Sequence, residues 1–235
     1  MMQNIETIPS PDLFELYKDG IERKTVVIID ILRATSTIVW AFENGINHIK
    51  PVLHKEEALK ERENGYLAAA ERNGQMVEGF DMGNSPKSYG REYIEGRKVA
   101  LTTTNGTVAC HLASSAKRVL IGSFLNLDAV VKEVLKDKND VLLFCAGWRG
   151  KYNLEDTLFA GAVASACAKE LEIEDDATYA AMDLWHIAKG DLRAYLKKAS
   201  HVKRFKRLGN HADLAFCVQQ NNTDIVPEFK NNIIQ

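Results

Sequence analysis

Several classes of protein are excluded by what this sequence lacks. It has no run of about 18 apolar residues, so no transmembrane helix is expected. Residues 1–9 carry no basic stretch leading into an apolar run, so no signal peptide is expected. An excess of one charge is also missing. The 30 lysines and arginines against 32 aspartates and glutamates give a formal net charge of -2, which argues against a dedicated nucleic-acid binder. The four cysteines, Cys110, Cys145, Cys167 and Cys217, form no CxxC pair and read as buried apolar thiols of a reducing, cytoplasmic setting. The six histidines are scattered without HExxH spacing, which disfavours zinc. No GxxxxGK[ST], GxGxxG or GxSxG segment occurs, so neither a nucleoside-triphosphate loop, a dinucleotide fold nor a serine-hydrolase elbow is indicated.

What is present is an alternation of short apolar runs with helical patterns, uninterrupted by a Pro/Gly/Ser-rich linker. Strands are expected at residues 26–29, 46–53, 66–70, 98–101, 118–121 and 141–145. Helices are expected from Thr35 to the Asn44-Gly45 stop, over 54–64, from 107 through 113, over 126–136 and over 155–171, with a mostly helical remainder. This order predicts an α/β fold with a largely parallel sheet flanked by helices. Residues 26–49 and 99–119 both read strand, hydroxyl-rich turn, helix, strand, so two related βαβ-type subdomains within one domain over 1–235, an internal duplication, are considered. The lysine- and arginine-rich run at 197–207 reads as a solvated helix face.

In open α/β sheets ligands bind beyond the carboxyl ends of the strands. Three strand ends here carry chemistry. After the first come Asp30, Arg33, Thr35, Ser36 and Thr37. After Leu101 come Thr102, Thr103, Thr104, Asn105, Gly106 and Thr107. After Phe144 come Gly147, Arg149, Glu155 and Asp156. Hydroxyls and free N–H groups at a helix start suit an anion, and an arginine can grip two of its oxygens. The same hydroxyls also serve as ordinary helix caps. Asp30 ends a run expected to be buried, where a carboxylate needs a cation or a partner. Glu71 and Asp81 flank a glycine-containing loop, and Glu155 with Asp156 opens a helix. Carboxylates in such loops suit Mg²⁺, although each taken singly also has a structural explanation.

The segments Asp30-Ile31-Leu32-Arg33-Ala34-Thr35-Ser36-Thr37, Glu71-Arg72-Asn73-Gly74, Gly79-Phe80-Asp81-Met82-Gly83-Asn84-Ser85-Pro86 and Thr102-Thr103-Thr104-Asn105-Gly106-Thr107, with Ala146-Gly147 and Glu155-Asp156-Thr157, closely resemble the 2-phosphosulfolactate phosphatase family in order and spacing. Asp213 and Val226-Pro227 are similar to its C-terminal pattern. The resemblance implies a ComB-like α/β fold and Mg²⁺-dependent hydrolysis of (2R)-2-phospho-3-sulfolactate to 3-sulfolactate and phosphate, a step of coenzyme M biosynthesis. Phosphatase action on another 2-phospho-hydroxyacid and non-catalytic sensing of such a metabolite are the alternatives. On this reading Asp30, Arg33 and Glu71 are catalytic. Thr35, Ser36, Thr37, Arg72, Asn84, Ser85, Thr103, Asn105, Gly106, Thr107 and Arg149 bind substrate. Asp30, Glu71, Asp81, Glu155 and Asp156 are the metal candidates. The expected partner is a small anionic phospho-metabolite rather than nucleic acid or membrane, and a homodimer is the default oligomer.

Overall fold

The computed structural model describes residues 3–207 and 211–235. Its elements run β1 (Ile5–Ile8), β2 (Thr25–Ile29), α1 (Ala34–Glu43), β3 (His48–Pro51), α2 (Lys55–Lys60), β4 (Leu67–Arg72), β5 (Gln75–Met76), α3 (Arg91–Ile94), β6 (Lys98–Thr102), α4 (Gly106–Leu112) and β7 (Arg118–Gly122). They continue with α5 (Leu127–Lys136), β8 (Val141–Cys145), α6 (Leu154–Cys167), α7 (Asp176–Ala188), α8 (Leu192–Leu196), α9 (Ser200–Arg207), α10 (His211–Cys217), β9 (Phe229–Lys230) and β10 (Ile233–Ile234). No helix among the described residues is long and apolar enough to cross a membrane.

The strands form two sheets. The first is fully parallel with order β1-β8-β2-β7, and its centre is the run Thr-Val-Val-Ile-Ile of β2, paired on both sides so that Ile29 lies between Gly122 and Cys145. A strand covered on both faces needs apolar residues at every position, which is why this run does not alternate. The second sheet has the order β5-β4-β6-β3-β10-β9. It is parallel at β4, β6 and β3 and closed by antiparallel strands at both ends.

Period-two alternation assigns each strand residue to a layer. Val27 and Ile29 pack with α5 and α6 on the outer face of the first sheet. Val26 and Ile28 face inward, onto α1 and α4, and Ile49, Val99 and Leu101 of the second sheet meet the same two helices from the opposite side. Ala68, Ala70 and Ala100 turn to the outer face of the second sheet, over Ala58 of α2. Helices α1 and α4 are thus a middle layer between the two sheets. Helix α6 is buried almost all round, and at Gly161 a β-carbon would stand 2.0 Å from the Ala181 carbonyl oxygen, so only glycine lets α7 approach this closely.

The expected α/β architecture with a parallel sheet flanked by helices is present, with a second sheet added. The two strand–turn–helix–strand modules do not each close within one sheet. Module β2-α1-β3 starts in the first sheet and ends in the second, whereas β6-α4-β7 runs the other way. The starts of α1 and α4 consequently meet. A β-carbon on Gly106 would lie 2.6 Å from Cβ of Ala34 and 2.9 Å from Oδ2 of Asp30.

Candidate active site

Asp30 follows the last residue of β2, where the chain turns into α1. It is buried, and its carboxylate accepts the Ala34 N–H at 3.3 Å. Burial raises its pKa to about 6; His201 acts against that shift, and Glu71 and Glu155 add to it. Asp30, Arg33, Glu71, Asn84, Thr103 and Asn105 line one narrow cleft, with contributions also from Trp148, His201, Arg204 and Phe205. Ends of strands from both sheets therefore converge here: β2 from the first, β4 and β6 from the second.

The predicted hydroxyl-rich turns are built differently from the expectation that their side chains face the ligand. Thr35 Oγ1 accepts the Asp30 backbone N–H at 3.1 Å, Ser36 Oγ donates to the Ile31 carbonyl at 2.9 Å, and Thr37 Oγ1 donates to the Asn84 carbonyl at 3.3 Å. All three are buried and brace the turn that aims Asp30. Thr107 does the same work in the second turn, where its N–H donates to Thr103 Oγ1 at 3.1 Å. Gly106 contributes the close approach already described.

Arg33 is buried and its guanidinium is already engaged. Nη1 donates to Asp213 Oδ2, Nη2 donates to the Gly74 carbonyl at 3.0 Å, and the group lies 5.0 Å from the centre of the Phe205 ring. Asp213 also accepts from Ser85 Oγ at 2.9 Å, so Ser85 positions the partner of Arg33. Glu71 accepts the Gly74 N–H, which closes the turn after β4. Arg72 turns away from the cleft, with Nη1 donating to the Glu71 carbonyl at 2.7 Å and Nη2 to Thr102 Oγ1 at 3.1 Å. Arg149 donates from Nη2 to Asn73 Oδ1 at 2.7 Å and from its backbone to Asn105 Oδ1 at 3.0 Å, and stacks on Trp148.

The five metal candidates separate into two places. Asp81 sits apart, accepting from Arg62 at 3.0 Å and from the Ala68 N–H at 2.7 Å in a surface pocket beside Met76 and Tyr93. Asp156 is fully buried, and its two oxygens accept the Ile31 N–H at 2.9 Å and the Gly147 N–H at 3.0 Å, tying the loop after β2 to the loop after β8. Burial, with Asp30 and Glu155 nearby, pushes its pKa well above the ordinary carboxylate range. Glu155 is fully buried, with Oε1 2.7 Å from Nδ1 of His201 and Oε2 without a hydrogen-bond partner among the described residues. Among the described residues no three histidine, cysteine, aspartate or glutamate side chains stand close enough to hold a metal ion by themselves.

Helix α9 supplies what the sequence reading missed. The basic run at 197–207 was expected to be a solvated face, yet His201, Arg204 and Phe205 all line the cleft. The signal was available in the spacing: positions i, i+3 and i+4 share one side of a helix. It was obscured by the surrounding lysines, which fit the usual pattern of an exposed charged face.

A family model for 2-phosphosulpholactate phosphatase matches residues 12–232. A protein of Thermotoga petrophila named probable 2-phosphosulfolactate phosphatase is 44% identical over 215 residues, covering 91% of this chain and 92% of that one. A protein of Clostridium tetani with the same name is 37% identical over 236 residues, covering 99% of this chain and 100% of its own length. The span 12–232 contains every strand except β1 and β10, the middle helices and every residue that lines the cleft, and on that footing the chain belongs to the 2-phosphosulpholactate phosphatase family.

Proposed function

We propose that this chain is a phosphoric monoester hydrolase that converts (2R)-2-phospho-3-sulfolactate to 3-sulfolactate and phosphate. The observation that carries the reading is the cleft itself: a buried strand-end aspartate, raised to about 6, faces a wall that supplies arginine, asparagine and threonine groups. Such a carboxyl holds and gives up a proton near neutral pH, which matches it to proton exchange with an oxygen of the reacting ester. Arg33, locked by Asp213 and Phe205, presents a fixed positive charge to the phosphoryl group. Thr103 and Asn105, at the turn before α4, offer polar contacts to its oxygens. Thr35, Ser36 and Thr37 keep Asp30 in place, so the reacting geometry is set before substrate arrives.

Mg²⁺ is the proposed cofactor. The donor set suits it, because Mg²⁺ takes one or two carboxylates and fills the rest of its shell with waters and phosphate oxygens. A buried carboxylate oxygen on Glu155 without a partner among the described residues, and the repulsion of Asp30 by Glu71 and Glu155, are features a divalent cation relieves. Glu71, which lines the cleft, and Glu155, whose Oε2 is unpartnered among the described residues, are the residues that would hold it, which leaves Asp30 to the proton. Bound there, the ion supplies charge neutralisation at the phosphoryl oxygens.

The test is phosphate release by EDTA-treated protein offered phosphosulfolactate or phospholactate, with and without added Mg²⁺. Mg²⁺-dependent release with a preference for the sulfonated ester is expected. Absence of release from both esters, with the protein folded, would overturn the reading.

A further inference from the structure

Most polar groups around the cleft are already paired. Arg33 has Asp213 and the Gly74 carbonyl, Arg72 has Thr102, and Arg149 has Asn73. Arg204 differs. Among the described residues its buried Nη2 has no hydrogen-bond partner. Its guanidinium carbon stands 3.6 Å from the centre of the Trp148 ring, and that of Arg149 stands 4.7 Å from the same centre. A buried guanidinium nitrogen left without an acceptor is costly, and an acceptor arriving with the ligand removes that cost. Two guanidinium groups on one indole, held by ring faces rather than by carboxylates, make a cationic corner.

The cleft is therefore polarised. Its floor is acidic, with Asp30, Glu71 and Glu155 in one electrostatic neighbourhood. The corner formed by α9 and the loop after β8 is basic. Along α9, His201 acts on Asp30, and Arg204 follows three residues later, about 4.5 Å further along the helix axis. With the phosphate placed beside Asp30, Arg204 is left for a second anionic group of the same ligand, in a position where Glu155 and Glu71 as well as Arg149 act on it. That group has to be an anion with several equivalent oxygens, because the free nitrogen belongs to a planar fork that matches such groups.

We infer that Arg204, stacked on Trp148, recognises the non-reacting sulfonate of the substrate and sets the preference for sulfonated over unsulfonated 2-phospho-hydroxyacids. The identity of the ligand rests on the phosphatase reading above; the presence of an anion subsite on α9 does not. Arg72, expected to bind substrate, is committed to Thr102 and the Glu71 carbonyl.

The experiment compares wild type, Arg204→Gln and Arg204→Lys, each checked for folding by its melting transition. For each, kcat/KM is measured with phosphosulfolactate and with phospholactate, and calorimetry measures binding of 3-sulfolactate and of lactate. The preference for the sulfonated member of each pair should fall about 10- to 100-fold in Arg204→Gln, the worth of one charge-assisted contact. Arg204→Lys should fall in between, because lysine keeps the charge but loses the fork and the ring contact. Equal losses for both members would mean that Arg204 holds the shared phosphate or carboxylate, and would overturn the inference. So would wild-type binding of 3-sulfolactate no tighter than lactate. Arg204-dependent binding of 3-sulfolactate without turnover of either ester would sink the proposed reaction while leaving the subsite standing.

Discussion

Asp30→Asn should make the metal-free protein more stable while abolishing its activity. A carboxyl at 3.8 in the unfolded chain and about 6 in the folded one binds its proton more tightly when folded. Between those two values the folded state carries more protons than the unfolded state, so stability falls as pH rises through the window. The difference of roughly two units corresponds to about 3 kcal/mol, fully lost above pH 6 and fully recovered below pH 4. Asparagine removes the titration. Its side-chain carbonyl still accepts the Ala34 N–H that Asp30 accepts at 3.3 Å. Its amide is close to isosteric with the carboxylate, so the narrow gap to Gly106 is kept.

The variant should accordingly gain about 2–3 kcal/mol at pH 8, equivalent to a rise in Tm of roughly 5–10 °C for a chain of this size. At pH 4 it should gain almost nothing. The assay is urea denaturation in EDTA at several pH values, paired with phosphate release in Mg²⁺. Turnover should drop by about a thousandfold or more, the scale of losing a proton-exchanging group. A variant less stable than wild type at pH 8, or one that retains the wild-type pH slope between 4 and 6, would refute the burial argument. Unimpaired turnover would refute the catalytic one.

Other perturbations isolate other parts of the site. Asp213→Ala leaves Arg33 buried without its ion-pair partner and should cost about 3–5 kcal/mol in urea denaturation, whereas replacing both residues with apolar ones of similar volume should recover most of it and still abolish turnover. Gly161→Ala puts a β-carbon 2.0 Å from a backbone carbonyl oxygen that no rotamer change can move, so the melting temperature should fall by several degrees with α6 and α7 forced apart. Glu155→Gln weakens the contact that orients His201 and should lower stability by about 1–3 kcal/mol, read from the same denaturation curves, with a larger loss in kcat than in KM. Asp81→Asn touches only the surface pair with Arg62 and the Ala68 N–H, and should change phosphate release less than tenfold in a steady-state assay, a result a metal-ligating role would not permit.

How much of this was legible beforehand depends on what each segment's pattern encodes. The run at 26–29 and the run at 141–145 were unambiguous because strands covered on both faces are apolar throughout, and β8 spans Val141–Cys145 as expected. Strand β1, Ile-Glu-Thr-Ile, gave too short a signal, and it sits at an edge where one neighbour suffices. The closing hairpin β9-β10 turns through Asn231 and Asn232, both with positive φ, so the Asn-Asn pair was its turn signal, but strands of two residues carry no periodicity to flank it. Local patterns also cannot say which sheet a strand joins. Each module looked like an ordinary βαβ unit, because the helix between its strands is apolar on the sides that meet a sheet, whether that is one sheet or two.

The same ambiguity governed the site. Strand-end logic located Asp30, Thr103 and Asn105, since each lies where a parallel strand gives way to a turn, and Glu71 was read from its place beside a glycine-containing loop. It could not separate residues that face the cleft from those that hold them there, because threonine, serine and arginine perform both tasks with the same atoms. The exchange of strands between the sheets decides that division. By sending β2 into one sheet and β4 and β6 into the other, the fold turns strand ends from both sheets towards a single point and leaves the middle helices to start there. Carboxylates placed at such a junction are buried by construction, which raises Asp30 and Asp156 above their ordinary values and costs stability. The fold recovers part of that cost through N–H donors from Ala34, Ile31 and Gly147. Among the described residues an unpartnered Glu155 oxygen by the acidic floor, an unpartnered Asn84 side-chain oxygen on the wall and an unpartnered Arg204 nitrogen in the basic corner are left over, the pattern of a site completed by its ligands.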